Sequence, residues 1–388
     1  MRIAIAYPFD DRAWLGGKNY FSSLFSALQL TGASDVTVVL VTGRKTVTSL
    51  PEQFPQLEVE RTALLDRRSP AWVVRQLARL PRGLTTDPLL DRLLKRLRID
   101  VLSHSGAVGK GTGIKAIGWL PDFQFLHFPD HWTPKQLADI RRVYGTACRD
   151  CDALIVSSRD ALRDLAAFAP GSTVPRHVLH FTPVPFDHAQ LRPKAELIAQ
   201  YGIPEVYFHI PNQFWAHKNH RIVVEAIALA RQEGADVTVV CTGNPVDLRR
   251  PEYFESLMAR CREAGVEANF RVLGIVPYAD MQALMAHSRA VINPSRFEGW
   301  STSVEESKAL GKRVLLSDIP VHREQAPPRC GYFAPDDAAA LKSLMLECLA
   351  MDDTPVPPGE QALKNANAMR AFGQRYLDLV RALAPSAR

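Results

Sequence analysis

No stretch of this chain approaches the roughly 18 consecutive apolar residues of a membrane-crossing helix. The opening Met1-Arg-Ile-Ala-Ile-Ala-Tyr-Pro8 has an apolar run too short for a secretory leader and reads as a first strand, so the expected location is the cytoplasm. Cysteine is scarce: six in 388 residues do not suggest a disulfide framework. Cys148 and Cys151 form a Cys-x-x-Cys pair, but no second pair or His cluster accompanies it. The pair ends a helical pattern instead of lying between a strand and a helix start, so both read as packing cysteines. Low-complexity segments are absent, and so is the GxGxxG fingerprint, which lowers the case for a dehydrogenase. What is present is ample apolar content for two or three domains with full cores.

The formal charge of +6 is unevenly distributed. Residues 61–98 carry ten Lys or Arg against three Asp, a local +7, so the remainder is near −1. Trp72, Val73, Val74, Leu77 and Leu80, then Leu89, Leu90, Leu93, Leu94 and Leu97, recur among these charges at helical spacing. Basic amphipathic helices suit an anionic membrane surface. An ordinary pair of helices with snorkelling arginines explains the pattern equally well, and both readings stand. Nucleic acid is not an expected partner, since the segment has no recognised binding motif and only Trp72 for stacking.

Short β-branched runs alternate with longer amphipathic segments, which argues parallel sheets with crossover helices. Strands are expected at Arg2–Ala6, Val36–Val41, Val101–Ser103, Lys115–Trp119, Ala153–Ser157 and His177–Phe181. After the Pro-rich Thr182-Pro-Val-Pro-Phe-Asp-His188 the alternation resumes, with strands at Val206–Ile210, Val237–Cys241, Phe270–Leu273, Ala290–Asn293 and Arg313–Ser317, and a helix over Asn219–Glu233. The expected fold class is α/β, with two doubly wound Rossmann-like domains facing a cleft. The boundaries expected are 1–185, 190–360 and a C-terminal helical segment 361–388. Ligands of such sheets bind beyond the carboxyl ends of the strands.

The densest signal is Asn293-Pro-Ser-Arg-Phe-Glu298-Gly-Trp-Ser-Thr-Ser-Val-Glu-Glu306-Ser-Lys-Ala-Leu-Gly311. It reads as a strand end, a loop carrying Glu298, and a helix opened by hydroxyl residues and closed by Gly311. A helix N-terminus presents unpaired N–H groups and about half a positive charge, which favours phosphate. Glu298 and Glu306 bracket that turn, with seven residues between them. Carboxylates accept from hydroxyls and repel phosphate, so the pattern suits a diphosphate with sugar on both sides, a nucleotide sugar. Thr302 with Glu305, and Ser303 with Glu306, also have capping-box spacing, and Glu305 reads as a cap or a solvated residue.

This segment resembles the retaining glycosyltransferases of family 4, which have the GT-B fold and a Glu–seven residues–Glu motif at this place. The resemblance runs over nearly the whole chain. It implies that Glu298 holds the transferred sugar through its hydroxyls and Glu306 the ribose. It assigns the turn Gly299, Trp300, Ser301 and Thr302 to the leaving diphosphate. It further implies that the C-terminal helix crosses back to the first domain.

Lys218 stands just before a helix start, where the dipole disfavours a cation, and that placement suggests a bound anion. It matches the family's phosphate-binding lysine. Asn212 occupies the position where most members carry an arginine, and an amide donates to phosphate without the charge. Gly16 and Gly17 resemble the loop that closes over the donor diphosphate; paired glycines allow close backbone approach or positive φ. Gly243 with Asn244, and Gly274 with Ile275, resemble the nucleotide-base loops. Asp122 and His127 both stand as candidates for the first domain's contact to the donor sugar. Ser105-Gly106 and Ser157-Ser158 also end strands.

The resemblance implies a metal-independent enzyme that moves a hexose-type sugar from a nucleotide diphosphate donor to an acceptor hydroxyl with retention of configuration. No Asp-x-Asp stands beside the candidate site, and neither metal nor cofactor is expected. The acceptor expected is a glycan or a lipid-linked sugar of polysaccharide or lipopolysaccharide assembly, met at the inner face of the cell membrane through residues 61–98. Alternatives are another GT-B chemistry (a phosphorylase or a sugar-nucleotide epimerase), a non-catalytic nucleotide-sugar-binding module, and a membrane-surface scaffold.

Overall fold

The computed structural model describes residues 1–11, 15–79, 87–184, 190–351 and 357–383. The chain divides into two compact units: one of residues 1–126, 132–184 and 367–388, the other of residues 127–131 and 185–366.

The first unit is built on β1 (Arg2–Tyr7), β2 (Thr37–Thr42), β3 (Glu58–Arg61), β4 (Val101–Ser103), β5 (Lys115–Leu120), β6 (Ala153–Val156) and β7 (Arg176–Val178). They form one sheet in the order β3-β2-β1-β4-β5-β6-β7, and each pairing is parallel. Central strands are buried on both faces, as Ala-Leu-Ile-Val of β6 shows, because helices cover both sides of such a sheet. Cys148 lies in the last turn of the helix Pro134–Asp150 and Cys151 is its C-cap; both are free thiols inside the apolar core. Burial pushes the Cys151 thiol up to about 12, so it stays protonated. They are packing cysteines.

The second unit holds β8 (Phe208–Ile210), β9 (Val239–Thr242), β10 (Phe270–Gly274), β11 (Val291–Asn293), β12 (Val314–Ser317) and β13 (Cys330–Phe333). Their order is β10-β9-β8-β11-β12-β13, again with parallel pairings. The order reverses between β8 and β11, the switch point where a crevice opens beyond the strand ends. In the first sheet the reversal falls between β1 and β4.

Eleven strands fall where the sequence predicts them, within two residues at every end except that of the expected His177–Phe181, which stops at Val178. Two were not foreseen, β3 and β13, and both are edges. Glu58-Val-Glu-Arg61 is largely exposed, with charges that discourage pairing at its open side. Cys330-Gly-Tyr-Phe333 contains a glycine whose added Cβ would meet Leu344 at 2.9 Å. Neither has the apolar run or alternation that marks a buried strand.

The basic segment forms two helices, Pro70–Arg79 and Pro88–Arg96. The second buries Leu90, Leu93 and Leu94 in the core. The first exposes Val73, Val74 and Leu77 and ties inward through Arg75, which pairs with the fully buried Asp87. The C-terminal helix Pro358–Leu383 starts in the second unit, where Gln361 and Asn365 donate to the carbonyls of Lys308 and Ala309. Its later turns belong to the first unit, with Phe372 and Tyr376 buried and Arg381 paired with Asp35 at 2.7 Å.

Candidate functional site

The site is assembled at the carboxyl ends of β8 and β11, adjacent strands at the switch point of the second sheet. After β8 the chain runs through Pro211 and Asn212 to a short 3-10 turn, Ala216–Lys218, and then the helix His220–Gln232. Asn219 joins turn and helix in the left-handed region, φ 56°, which an asparagine tolerates better than most residues. Its amide donates to the carbonyls of Pro294 (3.1 Å) and Pro335 (2.9 Å), stitching the exits of β11 and β13 to this turn. Lys218 is thereby held next to the loop after β11.

That loop is organised by Asn293, the fully buried last residue of β11. Its Nδ2 donates to Ser301 Oγ at 2.7 Å and Ser303 Oγ at 3.2 Å, and its Oδ1 accepts from Ser295 Oγ at 2.7 Å. Glu298, 8 % exposed, accepts from Lys218 Nζ at 2.6 Å and from Ser295 Oγ at 2.7 Å. Burial alone would raise the Glu298 carboxyl. The Lys218 charge and the bonds from Lys218 and Ser295 outweigh burial and hold it below the ordinary value. An anion is thus maintained in a nearly dry site.

The helix after the turn is Thr302–Ala309, and Ser301 at its N-cap makes no side-chain capping bond. The capping boxes suggested by the sequence do not form. Ser301 and Ser303 are engaged by Asn293, Glu306 turns to Tyr278, and Glu305 turns to Lys308 (3.0 Å) and Gln325 (2.9 Å). Glu305 is 6 % exposed, so it is neither a cap nor solvated; burial raises its carboxyl despite Lys308. Asn212 is buried beside this turn. Its Oδ1 accepts from Ser303 Oγ at 3.3 Å, while its Nδ2 meets no acceptor among the described residues. A buried amide donor without a partner costs about 1–3 kcal/mol, so this nitrogen has an unused hydrogen-bond donor to offer.

Glu306, 3 % exposed, lies on the same helix and accepts from Tyr278 Oη at 2.7 Å. Burial pushes its carboxyl up to about 7, only partly offset by Tyr278. The two bracketing glutamates therefore differ: Glu298 is a firm anion, and Glu306 titrates near neutrality.

Gly243 has φ 139°, and a Cβ there would sit 2.4 Å from the Asn212 carbonyl oxygen. Its role is visible as packing under Asn212. Gly274 has φ 70° with open space where a side chain would be, and the neighbouring Ile275 is 69 % exposed. Gly299, Trp300 and Thr302 are half-buried around the turn.

The remaining candidates lie elsewhere. Gly16 and Gly17 belong to the first unit and sit in the first turn of the helix Leu15–Thr31, not in a loop before it. Neither takes a positive φ; Gly16 is exposed, with nothing within 4 Å of a built Cβ. Residues 12–14 of that motif lie outside the described residues. Asp122, also in the first unit, accepts from the Gln124 backbone N–H at 3.0 Å and so opens the helix Gln124–His127. His127 groups with the second unit and is exposed, its ring 4.7 Å from that of Phe297. Ser158 caps the helix Arg159–Phe168, a structural role.

Asn293, Ser295, Ser303, Tyr278, Gln325 and His322 were not anticipated. Asn293 could have been: a lone amide closing the apolar run Ala-Val-Ile is a polar group that must be satisfied. His322 is fully buried, and burial takes its imidazole down to about 4, so it is neutral.

Residues 194–365 match the family described as glycosyl transferases group 1. Solved structures of several glycosyltransferases resemble the whole chain. Anabaena HepE, in complex with UDP and glucose, has a TM-score of 0.67 at 16 % identity, over 98 % of this chain and 99 % of that one. A glycosyltransferase from Rickettsia africae gives 0.67 at 14 % identity, over 98 % of each chain. The lipopolysaccharide outer core galactosyltransferase WaaB gives 0.61 at 13 %, over 98 % of this chain and 99 % of that one. At such identities the likeness shows the fold: an α/β architecture of the GT-B glycosyltransferase type.

Proposed function

We propose that this protein transfers a hexose-type sugar from a nucleoside diphosphate donor to an acceptor hydroxyl, with retention of configuration and without a metal. The observation that carries the reading is the convergence of Lys218, the unpartnered Nδ2 of Asn212 and an uncapped helix start on one turn. Those groups are donors, and each suits a phosphate oxygen. Beside them stands a buried carboxylate, Glu298, whose natural partners are a sugar's hydroxyls. Glu306 lies further along the helix Thr302–Ala309 and is assigned to the ribose.

Preorganised donors stabilise charge developing on the leaving diphosphate, usually the largest single contribution to such a reaction. Lys218 supplies the one full charge, in a role a divalent cation takes in other transferases. Trp300 and the backbone from Gly299 to Thr302 line the same turn. Asp122 and His127 stay as alternative contacts to the donor sugar, and Gly16 and Gly17 as the approach to the diphosphate. Gly243, Gly274 and Ile275 are assigned to the base.

HepE binds UDP and glucose, and WaaB serves lipopolysaccharide assembly. By analogy we assign this chain to polysaccharide or lipopolysaccharide assembly, with a lipid-linked or glycan acceptor. Among the described residues no helix is long and apolar enough to cross a membrane. The helix Pro70–Arg79 favours contact with a membrane surface, since Val73, Val74 and Leu77 point outward beside exposed Arg67 and Arg68.

The test is a panel of UDP-, GDP- and ADP-sugars, read by thermal shift and then by turnover. One donor should stabilise the protein and be consumed only with an acceptor. Consumption that requires free phosphate, or yields an epimer, would instead assign a phosphorylase or epimerase. Binding without turnover would leave a binding module. In Glu306→Ala, donor affinity should fall roughly tenfold or more with a smaller change in saturated rate; unchanged affinity removes the ribose role.

A further inference from the structure

Tyr278 opens the helix Tyr278–His287 directly after the β10 exit. Its residue is 47 % exposed, yet its hydroxyl reaches inward to Glu306 Oε1 at 2.7 Å. Among the described residues it is the one side chain that donates to Glu306. A half-exposed ring anchored on a buried carboxylate needs no such bond for folding, since its hydroxyl could as well be solvated.

The other charged groups nearby are already committed. On the helix of Glu306 itself, Glu305 and Lys308 pair at 3.0 Å. On the helix of Tyr278, Asp280 pairs with Arg192 at 2.8 Å, and the His287 ring bonds the Arg192 carbonyl at 2.9 Å. Tyr278 is therefore the polar group that decides how Glu306 is oriented and whether its charge is tolerated.

A carboxylate offers about four lone-pair sites over two oxygens. One site taken by Tyr278 leaves the others open to a diol. We propose that Tyr278 is a positioning residue for the nucleotide, fixing the Glu306 carboxylate as the acceptor of both ribose hydroxyls. The proposal rests on the ribose role assigned to Glu306 above.

Without the phenol the Glu306 anion loses its donor, and the neutral acid gains ground. The sign follows. Glu306 is already raised to about 7, so nucleotide binding should strengthen as pH rises through that value. In Tyr278→Phe the same gain should come later, by roughly one to two pH units, the equivalent of one hydrogen bond to a charged group.

The experiment is calorimetric titration of UDP, GDP and ADP into the full chain between pH 6 and 9, for wild type, Tyr278→Phe and Glu306→Gln. The tightest nucleotide for the wild type is carried through the series. Tyr278→Phe should bind roughly tenfold more weakly at pH 7 and approach wild type by pH 9, with its melting temperature unchanged. In turnover the loss should appear in KM for the donor, not in kcat. Glu306→Gln should bind weakly throughout and keep only the pH dependence of the ligand's own phosphates. If Glu306→Gln weakens binding while the midpoint of Tyr278→Phe stays at the wild-type value, Tyr278 is structural and the proposal is wrong. If Glu306→Gln binds like wild type, or no nucleotide binds the wild type, the ribose reading itself fails and takes the proposal with it.

Discussion

Lys218 and Glu298 hold each other at 2.6 Å, one from the turn after β8, the other from the loop after β11. The sequence assigns them to different halves of a donor, ammonium to diphosphate and carboxylate to sugar; the structure joins them. Both are largely buried, at 13 % and 8 % side-chain exposure, so neither charge is well solvated when alone. On the proposed reading, an incoming diphosphate draws Lys218 away and frees Glu298 for the sugar's hydroxyls.

Lys218→Ala should then fail in two ways. Turnover should fall by roughly two to three orders of magnitude, as loss of one such donor does. Stability should fall too, by up to about 3–5 kcal/mol, because Glu298 is left buried and unpaired. Lys218→Met with Glu298→Gln should restore most of the stability and none of the turnover. Denaturant unfolding and a steady-state assay on the same preparations check both arms; wild-type rates in Lys218→Ala would take lysine out of the mechanism. The pair also predicts acid sensitivity. Glu298 is held below its ordinary value, so its contribution is complete at neutral pH and is lost as pH falls through its folded-state value.

The basic helix makes a separate prediction. Val73, Val74 and Leu77 are 43 %, 55 % and 56 % exposed, at the i, i+1 and i+4 positions of one helix face. Helices that rest on a lipid surface combine such apolar contact with charge attraction. The triple change Val73→Asp, Val74→Asp and Leu77→Asp should reduce sedimentation with phosphatidylglycerol vesicles at least roughly tenfold and leave turnover on a soluble acceptor intact. Equal sedimentation, or equal binding to phosphatidylcholine vesicles, would make the stripe an incidental surface.

The sequence displays the parallel α/β plan because buried central strands need apolar residues on both faces, as in Ala153-Leu-Ile-Val156. Edges escape that demand, which is why Glu58–Arg61 and Cys330–Phe333 were invisible. In the site, the segment 293–311 was legible because it is contiguous. Contacts across strands were not: nothing local in Tyr278 announces Glu306, 28 residues on, and nothing in Gln325 announces Glu305. The hydroxyl-rich helix start misled for a related reason. Thr302 with Glu305 and Ser303 with Glu306 have the spacing of capping boxes, but Asn293 engages the Ser303 hydroxyl from the neighbouring strand end, and both glutamates turn to other partners.

Gly373 offers a test of the C-terminal helix in which two effects of opposite sign compete. Gly to Ala inside an exposed helix normally stabilises by about 1 kcal/mol, through propensity. Here a Cβ would lie 2.6 Å from the carbonyl oxygen of Ala27 and 2.9 Å from Thr31 Cγ2. The first of these is backbone of the helix Leu15–Thr31 and cannot rotate away. Overpacking of this kind typically costs about 1–3 kcal/mol, more than the propensity gain. Gly373→Ala should therefore lower the melting temperature. Gly359→Ala, in the first turn of the same helix with open space around it, should be neutral or mildly stabilising. A melting temperature for Gly373→Ala at or above that of Gly359→Ala would show that the helix does not pack as closely on Ala27 as the structure has it.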